Sequence, residues 1–391
     1  MTGPCAWALL ALVASPSLAD PDADALRQSD VLAPDADATE SAAALEEALK
    51  LIGAHYVDPV DTNALYRAAI DGMLAHLDQL QGFQANGSYG VDEPDPYDEL
   101  ARGVYQGIGV ELLAVPGHSL LVLDVYQGGP AAVAGLRAGE AIISMGGISF
   151  YGRTPPEMYE TAASLSGRPV ALEVLDRAGV SRALTVTPGE FRVPAVRVVT
   201  DGPTVVIRVA HFGQGTAEVL AQTLSRLGEA PVVLDLRDNP GGLLEEAVAA
   251  ADLFLEADSV VGMVRRRDQE ERLLMARTPV SFSAPMALLV NAGTASVAEL
   301  FGAALQEQGR AVLVGTPTAG RACGADVHQL STGLRVRLLD ATFRSPQGRS
   351  WAGTGLWPDV LVDVVPMVTT SPLAPPPDPQ LEAASSVVGA R

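Results

Sequence analysis

Four apolar runs in the second half of the chain limit its fold more than any other feature: "TVVIRVAHF" at 204–212, "APVVLDLR" at 230–237, "PMALLVNAG" at 285–293 and "AVLVGTPT" at 311–318. None keeps a strict apolar–polar alternation, so each suits a strand covered on both faces, as in a parallel sheet. Helical periodicity fills the gaps between them, at 215–228, 243–255 and 296–309. Strand and helix taking turns in this way imply βα crossovers and a largely parallel sheet flanked by helices, an α/β fold. The 391 residues exceed a usual domain of about 100–200 residues, so the chain is expected to be multidomain.

The rest of the sequence divides around a core domain at 193–366. Residues 41–95 carry a small helical region, with Leu45, Leu49 and Ile52 followed by Leu65, Ala69, Ile70, Met73 and Leu77 at helical spacing. From 96 to 192, short β-type runs ("GIGVELL", "SLLVLDVY", "EAIISMGG", "PVALEVLDR", "SRALTVTP") surround one helical stretch, "PPEMYETAASL". Residues 20–40 form an acidic leader and 367–391 a Pro-rich tail, both expected to be disordered. Residues 1–19 join a short apolar run to small residues at Ser17 and Ala19. This reads as a secretory signal cleaved before Asp20, or else as an uncleaved anchor. No other segment is long and apolar enough to span a bilayer, so the mature chain is expected to be exported and periplasmic.

Charge narrows the partners. Lys+Arg number 26 against 47 Asp+Glu, a formal net charge of −21, which repels nucleic acid and anionic lipid. Lys50 is the only lysine. Once the signal is removed Cys323 is the remaining thiol, so no intramolecular disulfide is expected. The sequence calls for no metal and no cofactor.

The segment "GIGV" at 107–110, followed by "GGPAAVAGLRAGEAIISMGG" at 128–147, resembles a PDZ domain of the kind found in exported bacterial proteases. Glycines on either side of Ile108 let successive backbone N–H groups converge on a peptide carboxylate, and the adjoining strand can add an extended ligand to its edge. Gly107, Ile108, Gly109 and Val110 are therefore the expected tail-binding residues. Three further stretches extend the resemblance: "VVLDLRDNPGGLLEEAVAAADLFL" at 232–255, "LLVNAGTASVAELFGAALQEQGRAVLVGTPTAGR" at 288–321 and "SPQGRSWAGTGLWPDV" at 345–360. With "HYVDPVD" and "AAIDGMLAHLD" nearer the N-terminus, they resemble the carboxyl-terminal processing, or tail-specific, serine peptidases over about 45–363. That resemblance implies a ClpP/crotonase-like core carrying an inserted β-barrel-like PDZ domain at 96–192. It also implies action on exposed C-terminal tails of proteins, with an adaptor or homo-oligomer left open.

Carried over residue by residue, the family's nucleophile falls on Ser296, where a strand ends and a helix begins. The positive end of a helix dipole there suits a developing oxyanion. The N–H groups of Gly241, Gly242 and Val297 are the expected oxyanion donors. Without the resemblance, Ser296 would read as a helix cap and "NPGG" as a tight turn. The family's base is a lysine 25 residues beyond the serine, and 296 + 25 is 321, which is Arg321. The glutamine that orients that lysine falls on Ala325. A buried lysine can lose its proton near neutrality, whereas a guanidinium keeps it to above about pH 12 and only donates. Of the remaining groups, Lys50 lies in the leading helical region. His328 points away from Arg321 and Ala325 if 321–330 is a strand, and Cys323 reads as a small hydrophobe. His211, at the C-terminal end of a core strand, is the best substitute base, because sites of open α/β sheets collect there. Two functions follow: a tail-binding pseudopeptidase or adaptor, or an active PDZ-gated serine endopeptidase with a substitute base such as His211.

Overall fold

A computed structural model describes residues 38–83, 86–90, 93, 99, 101–164, 167–201, 204–363, 372–373 and 378–389. The signal at 1–19 and most of the 20–40 leader lie outside the described residues. The N-terminal region and residues 325–339 form one compact unit. In it the helix Ala38–His55 is followed by Thr62–Gln81. Asp61 starts the second helix by accepting from the N–H of Asn63 at 2.9 Å, and left-handed Gly82 ends it, with φ 80°. Leu49 and Leu74 are buried. The strand β1 (Gly87–Tyr89) then pairs antiparallel with residues 335–337. The helical region of the sequence reading therefore also holds a strand, and it draws its partner from far along the chain.

All other described residues belong to a second compact unit. Its first part is β-rich: β2 (Val104–Gly107), β3 (Val110–Val115), β4 (Ser119–Val125), β5 (Ala141–Met145), β6 (Ile148–Ser149), β7 (Val170–Leu175), β8 (Ser181–Val186) and β9 (Gly189–Arg192). An antiparallel sheet runs β3-β4-β5-β7-β8, with β6 on β5. In β7 ("VALEVL") Val170, Leu172 and Val174 point inward while Ala171 and Glu173 point to water, the period of two that a half-buried strand requires. Phe150 and, from the helix Pro155–Ser164, Met158 complete this core. β2 pairs antiparallel with β9, from Val104↔Arg192 to Gly107↔Gly189, so the segment enters and leaves side by side.

The four apolar runs form the next layer. After β10 (Val196–Asp201) come β11 (Val205–Val209), β12 (Val232–Asp235), β13 (Val260–Arg266), β14 (Arg272–Met275), β15 (Met286–Val290), β16 (Val312–Gly315), β17 (Cys323–Gln329), β18 (Arg335–Arg344) and β19 (Val360–Leu361). The main sheet runs β10-β11-β12-β15-β16-β19, and every pair from β11 onward is parallel. Val232, Leu234, Met286, Leu288 and Val290 face one core, with the helices Thr216–Ser225, Leu244–Asp252 and Val297–Glu307. Val206, Val233, Ala287, Leu289 and Val314 face the other. β13 and β14 form an antiparallel hairpin, and residues 341–344 of β18 pair with β13. The sequence reading anticipated none of these three strands.

The Pro-rich tail needs correcting. Pro379–Gly389 is a helix, and its Ala384 and Val388 cover the second face of the sheet. Asp378 accepts from Leu381 N–H at 3.0 Å, so "DP" at 378–379 is a helix cap followed by proline at the first helical position. Arg237 donates to the same carboxylate at 2.8 Å. The tail orders because an apolar sheet face would otherwise stand in water. No described helix is long and apolar enough to cross a membrane.

Candidate active site

Ser296 sits between β15 and the helix Val297–Glu307 with φ 56° and ψ −122°. For a residue with a Cβ this conformation costs about 1–3 kcal/mol, and it persists only where the surroundings dictate it. Those surroundings are two cross-tied loops. The N–H of Ala295 donates to Asn239 O at 2.9 Å, and Thr294 Oγ1 donates to Leu236 O at 2.8 Å. Asn291 accepts from Asp238 N–H at 2.8 Å and donates to Asp238 Oδ1 at 2.9 Å. Gly241 and Gly242 have φ 103° and 137°. A Cβ on Gly241 would lie 3.0 Å from Ser296 Cβ, and one on Gly242 would lie 2.4 Å from Phe212 O. Only glycine lets "NPGG" approach the serine this closely.

Glu299, fully buried, ties this turn to the loop that follows β16. Its carboxylate accepts from the N–H of Ser296 at 2.9 Å, of Gly320 at 2.8 Å and of Arg321 at 2.9 Å, and from the hydroxyl of Thr318. Burial pushes its carboxyl up, while the four donors pull the other way. The sequence reading missed Glu299. The available signal was its place three residues after Ser296, where a Glu reaches back to the N–H of the residue that starts the helix.

The half-buried Ser296 donates its Oγ proton to the Cys323 carbonyl, at 2.9 Å. The Arg321 residue is exposed. Behind the site, buried Asp235 accepts from Arg237 Nη2 at 2.8 Å and from Arg208 Nη1 at 3.2 Å. Burial alone would raise the Asp235 pKa, but the two guanidinium groups hold it at about 2.

The profile described as Peptidase family S41 matches residues 204–362, which contain every element of this site. The chain carries a peptidase S41 domain. It is 28% identical over 318 residues to a carboxy-terminal-processing protease of Bartonella bacilliformis, covering 79% of this chain and 72% of the relative. Identity is also 28% over 325 residues to the carboxy-terminal processing protease CtpA of Bacillus subtilis, covering 82% and 68%. In fold, the chain is similar to a solved Bacteroides fragilis protein described as an S41 protease. That match has a TM-score of 0.52 and 19% identity, and it covers 76% of this chain and 82% of that one.

The residues singled out from sequence separate into groups. Ser296, Gly241 and Val297 come together: a Cβ on Gly241 would lie 3.3 Å from the Val297 nitrogen. The oxyanion assignment of Gly241 needs correcting, because its N–H donates to the Asn239 side chain at 2.9 Å. The N–H groups of Gly242 and Val297 have no partner among the described residues. Buried His211 does not join them. Its ring lies where a Cβ on Gly103 would come within 2.9 Å and one on Gly213 within 2.7 Å, edge-on to Tyr105, and no hydrogen bond links it to Ser296. Burial pushes it down to about 4, and Nδ1 has no partner among the described residues. Ala325 and His328 belong to the N-terminal compact unit, as does Lys50, which pairs with Glu46 at 2.6 Å in solvent.

In the β-rich segment, the carbonyls of Ile108 and Gly109 accept from Ala131 N–H at 2.7 Å and Tyr126 N–H at 3.0 Å. The N–H groups of both residues are left without partners among the described residues. Gly109 has φ 77°, and its Cβ position is closed by Gly129 Cα at 3.3 Å and the Phe191 ring. Gly107 and Val110 flank the pair at the ends of β2 and β3.

Proposed function

We propose that this protein is an exported homologue of the carboxyl-terminal processing serine peptidases. It binds exposed C-terminal tails through a PDZ domain at 96–192, and its hydrolytic step is weak or lost. The observation that carries this reading is the Ser296 hydroxyl, which donates to the backbone carbonyl of Cys323. A carbonyl accepts a hydrogen bond but does not take the proton as a base does, so this contact leaves the serine unactivated. At position 321 the family's lysine is replaced by an arginine, and at 325 its glutamine by an alanine. Carbonyl binding is supported by the unengaged N–H groups of Gly242 and Val297 beside a strained serine turn. Tail capture is supported by the neighbouring N–H groups of Ile108 and Gly109, which can converge on a carboxylate. Export rests on the apolar leader at 1–19.

The competing reading is an active endopeptidase in which His211 replaces the lysine. A ring held at about 4 is a neutral imidazole at pH 7, which favours that reading, but its lack of a hydrogen bond to Ser296 does not. A fluorophosphonate probe separates the two. The unaltered protein should label no faster than its Ser296→Ala variant. Fast labelling lost in Ser296→Ala would show an activated serine and end the pseudopeptidase reading.

A further inference from the structure

We propose that Tyr159 is a register stop in the tail-binding groove, so that the site reads only the last few residues of a bound chain. This rests on the tail-capture reading above. The groove follows β3, an edge strand whose far side is bonded to β4. Leu112 stands opposite Val122, and Ala114 opposite Leu120. Val122 directs its N–H to Glu140 O at 2.8 Å and its C=O to Gly139 N–H at 2.7 Å, both on the side away from β3. Leu112 and Val122 therefore form a non-hydrogen-bonded pair, and the backbone groups of Leu112 face the open edge. Two residues on, those of Ala114 face it too.

The two open positions differ. The N–H of Leu112 is available to an incoming strand, whereas that of Ala114 donates to the Tyr159 hydroxyl at 3.0 Å. Tyr159 comes from the helix Pro155–Ser164, which lies beside this edge. A tail that lays its carboxylate on the N–H groups of Ile108 and Gly109 runs antiparallel to β3. It reaches Ala114 about four residues upstream of its end. There it meets a backbone donor already engaged by the phenol oxygen. The half-buried Ile108, Val110 and Leu112 line the stretch before that point, together with Ala162. The ligand class is a short apolar C-terminal tail with a free carboxylate, with no strong demand on residues further upstream.

The test uses the full chain and two free-acid peptides, of about four and about eight residues, that share the same apolar ending. The unaltered protein should bind both with affinities within about twofold. Tyr159→Phe removes one oxygen and releases the Ala114 N–H. It should bind the longer peptide about fivefold more tightly than the unaltered protein does, the worth of one backbone hydrogen bond, and the shorter one unchanged. Amide exchange at Ala114 should be slow in the unaltered protein and fast in Tyr159→Phe until the longer peptide is added. Equal gains for both peptides, or none, would overturn the stop, as would a several-fold length preference already present in the unaltered protein. If neither protein binds either acid peptide, tail capture itself fails, and the stop with it.

Discussion

Two loops of the S41 domain carry the residues that matter at Ser296, and they differ in what they have kept. The serine turn, tied to "DNPGG" at 238–242, keeps its strained backbone, its glycines and two unengaged N–H groups. The loop at 318–323 also keeps its backbone, because Glu299 accepts from Thr318, Gly320 and Arg321. On the proposed reading, what that loop lacks is the family's ionisable amine, with Arg321 in its place. On that reading, packing and main-chain hydrogen bonds hold the serine turn and its neighbouring loop in place without reference to the side chain that would move the proton. Binding and proton transfer are separable on that reading, and it can be broken at three points.

The largest effect concerns position 321. Arg321→Lys combined with Ala325→Gln restores the lysine and glutamine that the family resemblance implies at these two positions. Hydrolysis of an unfolded protein or tail peptide should rise from background by about 10²–10⁴-fold, the usual worth of general-base assistance. The gain should vanish when Ser296→Ala is added. Robust Ser296-dependent hydrolysis by the unaltered protein would show instead that the second loop had lost nothing.

An intermediate effect concerns His211, which packs edge-on to Tyr105. Its folded value of about 4 lies below the ordinary 6.5. Below pH 6.5 the unfolded chain thus takes up a proton that the native ring refuses. The stability it contributes is complete above about pH 6.5 and is lost as pH falls toward 4, a total of about 3 kcal/mol at about 1.4 kcal/mol per unit. Urea unfolding across that range should show the loss in the unaltered protein and its absence in His211→Leu. An acid limb that is identical in the two proteins would contradict this role.

The smallest effect tests the tail capture proposed for the β-rich segment. Amidating an apolar tail peptide should weaken binding by about 1.5–3 kcal/mol, because the carboxylate at Ile108 and Gly109 is the charged partner of that hydrogen-bond set. Equal affinities for acid and amide, measured by titration calorimetry, would remove the tail-capture reading.

Much of this is legible in the sequence. The apolar runs became β11, β12, β15 and β16, and the helical patterns between them became helices, because continuous apolarity has few other outlets in water. The strand-to-helix position of Ser296 followed from the same pattern. The hairpin of β13 and β14 did not. In β13 ("VVGMVRR") the last residues carry arginines and run into "RDQEER", and such a charged stretch reads as loop when the partner strand is 341–344, far along the chain. The helix Pro379–Gly389 was hidden behind "PPPDP", although Asp378–Pro379 is a start signal and Ala384 and Val388 share a face.

The sequence alone determined the chemistry available at position 321, since a guanidinium does not act as a base in any fold, and it determined that an apolar sheet must be covered on both sides. Tertiary structure decided everything that depends on where a group points. It turned the Gly241 N–H to Asn239, the Ser296 hydroxyl to Cys323 and the Tyr159 hydroxyl to Ala114. It also placed the His211 ring beside Gly103 and Tyr105. The physical reason is that a hydrogen bond depends on distances of a few tenths of an ångström and on direction. For Tyr159, Ser296 and His211 those are set by residues 27 to 108 positions away in the chain, whereas burial of a strand needs only that its residues be apolar.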